Sequence, residues 1–305
     1  MLATTTLDLP ICTTCGTQFG PTQDPKTQPF GCRICADPRQ FVLPSGTTYT
    51  TLTSLQSTHQ NQIELLAPSN PNIYHIHTTP KFGIGQRCFF IKTPAGNVLF
   101  DLIALLDSST VDFINSHGGL KAIVISHPHY YTTHLAWSEV FSCPVYVAPE
   151  DKEWLSVSEE GGNYHWLNQQ HSEVIPGITA IKVGGHFPGS LCLHIAGHLV
   201  GDDSDSKGRL LIADSLVTVP SAKGPYQHPP KGVASYAFMW SIPNMIPMPV
   251  EDIKNIGRAL EPYSFNWTHG AFPGLDVTGN DVKQRVRDSI EIAVGWMLKG
   301  TKVQD

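Results

Sequence analysis

The sequence predicts an α/β protein, and three observations carry that prediction. Short apolar runs of strand length, rich in β-branched and aromatic residues, recur along the chain, as at Ala122–Ile125 and Leu210–Ile212. Segments with helical spacing alternate with them, clearest at Val250–Leu260 and Asp281–Leu298. The 305 residues are 41% hydrophobic and 15% charged, enough to bury a sizeable core. Together these mean helices packed on sheet.

Composition also excludes some functions. A formal net charge of −6 offers no surface suited to phosphate backbones, so nucleic acid is not an expected partner. No apolar run approaches the roughly 20 residues of a membrane span. Met1 to Pro10 lacks the basic start and long apolar core of a signal peptide. The expectation is a cytoplasmic protein acting on a small-molecule substrate. Its oligomeric state is not legible.

Residues 1–45 read as a zinc ribbon-like segment and linker, and 46–305 as the main domain. Cys12-x2-Cys15 and Cys32-x2-Cys35 are separated by sixteen residues. In that spacing each tight turn offers two thiolates, and four close a tetrahedral structural zinc site. Gly16 stands where the first knuckle needs a residue tolerant of positive φ. Disulfides are the alternative. Cys88, Cys143 and Cys192 lie in apolar runs and read as small core residues. Phe41 to Gly46, with breakers Pro44 and Gly46, is the linker.

Thr50–His59 reads as a short helix, and Ile63–Ala67 as a strand before a Pro68–Asn72 loop. Strands follow at Ile73–Thr78, Gln86–Thr93 and Asn97–Leu102, the last two joined through Pro94-Ala95-Gly96. Asp107–Ser116 is helical, with Ser108 or Ser109 as its cap. After the 122–125 strand come a helix at Thr133–Phe141, a strand at Val145–Ala148 and a helical turn at Glu150–Leu155. A polar loop runs on to Gln170. Ile175–Val183, Leu191–Ile195 and Leu210–Ile212 are further strands, and Gly201–Gly208 is an acidic turn. Pro220–Gly232 reads as a flexible flap.

Polar residues end several of these strands. His127 and His129 follow the 122–125 run, separated by Pro128. Side chains two apart in an extended segment point the same way, so the two imidazoles can converge. His186 follows the 175–183 run within Gly184-Gly185-His186-Phe187-Pro188-Gly189-Ser190. Asp214 ends the 210–212 run, and His269 follows Trp267 before Gly270. Loops at strand ends are where a sheet assembles a site.

These motifs, in this order, resemble the metallo-β-lactamase-fold superfamily of glyoxalase II-like metallohydrolases. The resemblance covers roughly residues 70 to 300 and implies a four-layer αββα sandwich beside the small ribbon. It implies that His127, His129 and His186 hold one metal, that Asp214 bridges, and that His269 completes a second position. Asp101 matches an early strand-terminal aspartate that is usually structural. Ala213 replaces a usual glycine. Where the family carries Asp-His, this chain has Tyr131-Thr132, which removes two ligands of the second metal.

A three-histidine site with one open position suffices for a catalytic zinc. The expected function is therefore a mononuclear hydrolase of an ester, thioester, lactone or amide carbonyl, with iron or manganese as alternative metals. Asp214 and His269 would position the water or shuttle its proton, and Tyr131 would donate to the developing oxyanion. His134, at a helix start, reads as a surface or capping residue, with second-metal ligation as the alternative. The proline-stiffened run Ser235–Pro249 supplies Tyr236, Phe238, Trp240 and Met245 as a wall for a carbon-rich substrate, or else as packing. The competing functions are a non-catalytic metal-binding interaction protein and an iron-dependent oxygenase on the same fold.

Overall fold

The apolar runs become the strands of two large sheets. The computed structural model describes residues 4–22, 25–27, 31–67, 70–200, 207–222 and 232–299. The chain divides into two compact units, one ending at Asn168 and the other beginning at Gln169.

The first unit opens with α1 (Thr4–Leu7), β1 (Ile11–Cys12), β2 (Tyr49–Thr50) and α2 (Leu52–Thr58). Thr51 caps α2, its hydroxyl accepting from the Ser54 amide. Seven strands follow in spatial order: β3 (Gln60–Ala67), β4 (Asn70–Thr79), β5 (Arg87–Ile91), β6 (Val98–Phe100), β7 (Ala122–Val124), β8 (Val145–Val147) and β9 (Tyr164–Trp166). Neighbours from β3 to β6 are antiparallel, and those from β6 to β9 parallel. Parallel pairing needs crossovers, supplied by α3 (Ser108–Ser116) and α4 (His134–Phe141). Every residue of β5, β6 and β7 is buried, as in strands covered on both faces.

Two expectations change here. Asp107, not a serine, caps α3. One carboxylate oxygen accepts from the Thr110 amide and the Ser109 hydroxyl, and the other takes the Asn61 amide of β3. A carboxylate satisfying three donors outcompetes a hydroxyl. Tyr164–Trp166, expected in a loop, pairs with β8 as an edge strand, a position that tolerates polar neighbours.

The second unit carries β10 (His171–Ile175), β11 (Ile178–Lys182), β12 (Leu191–Ile195), α5 (Gly197–Val200) and β13 (Arg209–Ala213). The short strands β14 (Val217–Thr218), β15 (Tyr236–Ala237), β16 (Met239–Ser241) and β17 (Ile246–Pro247) come next. Then follow α6 (Val250–Leu260), β18 (Trp267–Gly270), β19 (Asp276–Thr278) and α7 (Val282–Lys299). Its six-stranded sheet runs β10-β11-β12-β13-β18-β19, antiparallel except for β13 and β18. The strand expected over 175–183 is a hairpin, because Pro176-Gly177 breaks it, with Gly177 at φ 82°. On α6, Ile253, Ile256 and Leu260 share one face and enter the core with Leu210, Ile212 and Phe265. Each such burial contributes about 2 kcal/mol.

Within the expected 68–72 loop, residues 70–72 belong to β4, and 68–69 lie outside the described residues. So do 201–206 of the acidic turn and 223–231 of the flap. No helix among the described residues is long and apolar enough to cross a membrane.

Candidate metal centres

Cys12, Cys15, Cys32 and Cys35 converge in the first unit, and all four are buried. Cys12 Sγ lies 3.7 Å from Cys35 Sγ, and Cys15 Sγ lies 3.6 Å from Cys32 Sγ. Tetrahedral zinc with Zn–S bonds of about 2.3 Å needs sulfur–sulfur edges of about 3.8 Å. The donor set therefore fits a structural zinc, and the cysteines are not disulfide-bonded. Gly16 adopts φ 84°, as the knuckle requires, and a Cβ there would sit 3.1 Å from that of Ala104. Phe19, Ile34, Tyr49 and Trp154 pack around the sulfurs, and burial pushes the Tyr49 phenol up to about 12.

The first unit also presents His127 and His129, both buried, with ring centroids 4.9 Å apart. Their convergence does not come from an extended pair. His127 is extended, but Pro128–Tyr130 form a single 3₁₀ turn, because proline at its start presets a helical φ. Asp101, at φ 58° after β6, accepts the Ser126 amide at 2.7 Å and holds the end of β7. The Ser126 hydroxyl meets His127 Nδ1 at 2.9 Å and orients that ring.

In the second unit His186 follows Gly184 and Gly185, both at positive φ. Its Nδ1 donates to the Met239 carbonyl at 3.0 Å, which sets the tautomer that carries the lone pair on Nε2. Buried Asp214 follows Ala213, which takes φ 45° where glycine would be unstrained. His269 lies within β18, not on a loop. Its Nδ1 donates to Asp276 at 2.7 Å, and its Nε2 faces the Arg209 guanidinium at 3.4 Å. A guanidinium only donates, so it occupies the lone pair a metal would need. Arg209, fully buried, also stacks on Trp267 at 4.4 Å. The sequence expected His269 as a metal ligand; in the structure its Nε2 faces Arg209.

Other expected site residues are spent elsewhere. Tyr131, fully buried, donates its hydroxyl to the Asp151 carbonyl at 3.1 Å. Burial raises its pKa. His134 is not on the surface. Its Nδ1 donates to the Tyr131 carbonyl at 2.9 Å, its Nε2 accepts from Tyr164 at 2.6 Å, and burial pushes it down to about 4. Tyr236 and Phe238 enter the core of the second unit, where the Tyr236 hydroxyl meets Thr268 Oγ1 at 2.7 Å. Trp240 packs against that core half-buried, and Met245 is 81% exposed. Tyr236, Phe238 and Trp240 thus pack in or against that core, and Met245 lies at the surface.

Sequence reasoning missed Arg209, Asp276, the Met239 carbonyl and Gln40. Only Arg209 left a local sign, an arginine opening an apolar strand. His127 and His129 are buried in the first unit, and His186 and Asp214 are buried in the second. Imidazole nitrogens and one carboxylate are a donor set that fits a catalytic zinc.

No family model matches the chain. The uncharacterized protein YmaE of Bacillus subtilis (strain 168) is 35% identical over 281 residues, covering 92% of each chain. The chain belongs to the YmaE family. Solved structures give its fold. VMB-1 aligns over 78% of this chain and 98% of its own at a TM-score of 0.54 and 10% identity. The DIM-1 metallo-β-lactamase aligns over 77% and 98% at 0.50 and 15%. This YmaE-family chain thus has the metallo-β-lactamase fold, with a four-cysteine cluster near its N-terminus.

Proposed function

We propose that the chain is a metal-dependent hydrolase acting on an ester, thioester, lactone or amide carbonyl of a small organic substrate. One observation carries the reading: His127 and His129 in the first unit, and His186 and Asp214 in the second, are all buried, and they are the donor types of a catalytic zinc. His127, His129 and His186 would hold the ion, zinc first and iron or manganese as alternatives. A zinc there supplies Lewis acidity that brings the pKa of a coordinated water to about 7. The Met239 carbonyl holds the His186 tautomer, and the Ser126 hydroxyl orients the His127 ring. Asp214 accepts the proton that the attacking water loses.

Three features support one ion at this centre and not two. Tyr131 commits its hydroxyl to Asp151. Thr132 turns its hydroxyl toward the Ile103 carbonyl at 3.4 Å. His269 directs Nε2 at a permanent cation. A second divalent ion beside that guanidinium would be repelled.

Metal analysis of the purified chain tests this. Two ions per chain are expected, one on the cysteines and one on the histidines. His129→Ala should keep the cysteine ion, lose the other and abolish turnover of a panel of thioesters, esters and lactones. A wild-type chain holding the cysteine ion alone, or three ions, overturns the reading.

A further inference from the structure

Gln40 lies at the end of the four-cysteine segment, five positions past Cys35. Its Nε2 is 3.2 Å from His129 Nδ1 and 3.2 Å from His129 Nε2. A nitrogen in the ring plane and equally far from both would have to sit in front of Cε1, inside contact distance of that carbon. The amide nitrogen therefore lies over the face of the imidazole. In that pose it fixes the plane of the ring without claiming either nitrogen.

The chain between Cys35 and Gln40 is built to hold this pose. The Ala36 amide donates to the Cys32 carbonyl, and the Gln40 amide to the Asp37 carbonyl, each at 2.9 Å. The Asp37 carboxylate accepts from the Arg39 backbone at 2.9 Å, the Arg39 guanidinium at 3.0 Å and Trp154 Nε1 at 3.0 Å. Arg39 also lies over the Trp154 ring at 5.3 Å. Two further bonds tie the segment to the same unit: the Gln18 amide to the Thr132 carbonyl, and the Ser156 hydroxyl to the Gln18 carbonyl.

We infer that the four-cysteine segment is a working part of the histidine centre, because it carries Gln40 onto His129 as a positioning residue. The inference rests on the metal role proposed for His129. The ribbon's metal orders the turn from Cys32 to Gln40, and the amide at its end holds one ligand imidazole in the plane its metal requires. Outer contacts of this kind change metal affinity by about 10-fold to 100-fold.

Competitive zinc titration of the full chain tests it. Gln40→Ala should weaken zinc at the histidine centre about tenfold or more, with the cysteine zinc still stoichiometric. Asp37→Ala should weaken the same centre, and the double variant should be no weaker than Gln40→Ala alone. Unchanged affinity in Gln40→Ala, or additive losses in the double variant, overturns the inference. NMR provides a readout free of metal: the Gln40 side-chain amide protons, identified by their loss in Gln40→Ala, should be shifted upfield by the His129 ring. Unshifted protons overturn the placement. If the wild-type chain takes no zinc at its histidines, the hydrolase reading fails, and the amide shifts still decide the position of Gln40.

Discussion

At the level of single residues, burial decides which polar groups are available for chemistry. Tyr131 and Phe differ by one hydroxyl, and that hydroxyl is already used inside the fold. Tyr131→Phe should cost about 1–2 kcal/mol, because the Asp151 carbonyl loses a buried donor. Its kcat/KM should stay within about twofold of wild type; a loss of a hundredfold would restore Tyr131 to the reaction. His134 carries a pH dependence. Its pKa falls from 6.5 to about 4 on folding, so below pH 6.5 the unfolded chain takes a proton that the folded chain refuses. The stability is complete above that pH and drains away as pH falls toward 4, by about 3 kcal/mol in all. Urea melts across that range should show the slope, and His134→Gln should flatten it. Ala213 at φ 45° makes a third case: Ala213→Gly relieves a left-handed alanine and should raise the melting temperature by a few degrees, about 1 kcal/mol.

Among the elements, turns place the chemistry more than strands do. Periodicity made β5 to β8, β12, β13, α6 and α7 legible because burial of one or both faces dictates the spacing of apolar residues. It could not show that Pro128 opens a 3₁₀ turn, or that Pro176-Gly177 cuts one apolar run into a hairpin. The turn before His186 is the most exacting. Gly185 sits at φ 87°, and a Cβ there would lie 2.7 Å from Met248 Sδ. Gly185→Ala therefore meets both a left-handed backbone and a clash with a buried side chain. It should cost about 1–3 kcal/mol and weaken metal at the histidine centre, read by thermal melting and zinc titration. The same melts showing no change would mean that the turn relaxes freely.

On the scale of the whole chain, the four cysteines and the Gly16 knuckle were readable because a metal site leaves its spacing in the sequence. Stripping that metal with a strong chelator should lower the melting temperature well beyond what loss of the histidine ion in His129→Ala does, since the thiolates hold an N-terminal segment with a small core of its own. Histidines and an aspartate at strand ends were likewise readable, and so was the loss of Asp-His at Tyr131-Thr132. Sequence by itself determined the α/β class and the cysteine cluster, and it marked His127, His129, His186 and Asp214 as candidate ligands. Only the tertiary structure decided that His269 faces Arg209, that Tyr131 and His134 are spent on internal partners, and that Gln40 covers His129. Motifs are local and survive as spacing, whereas hydrogen-bond partners 60 or 89 positions apart are set by strand register and turns. A one-dimensional pattern does not record those.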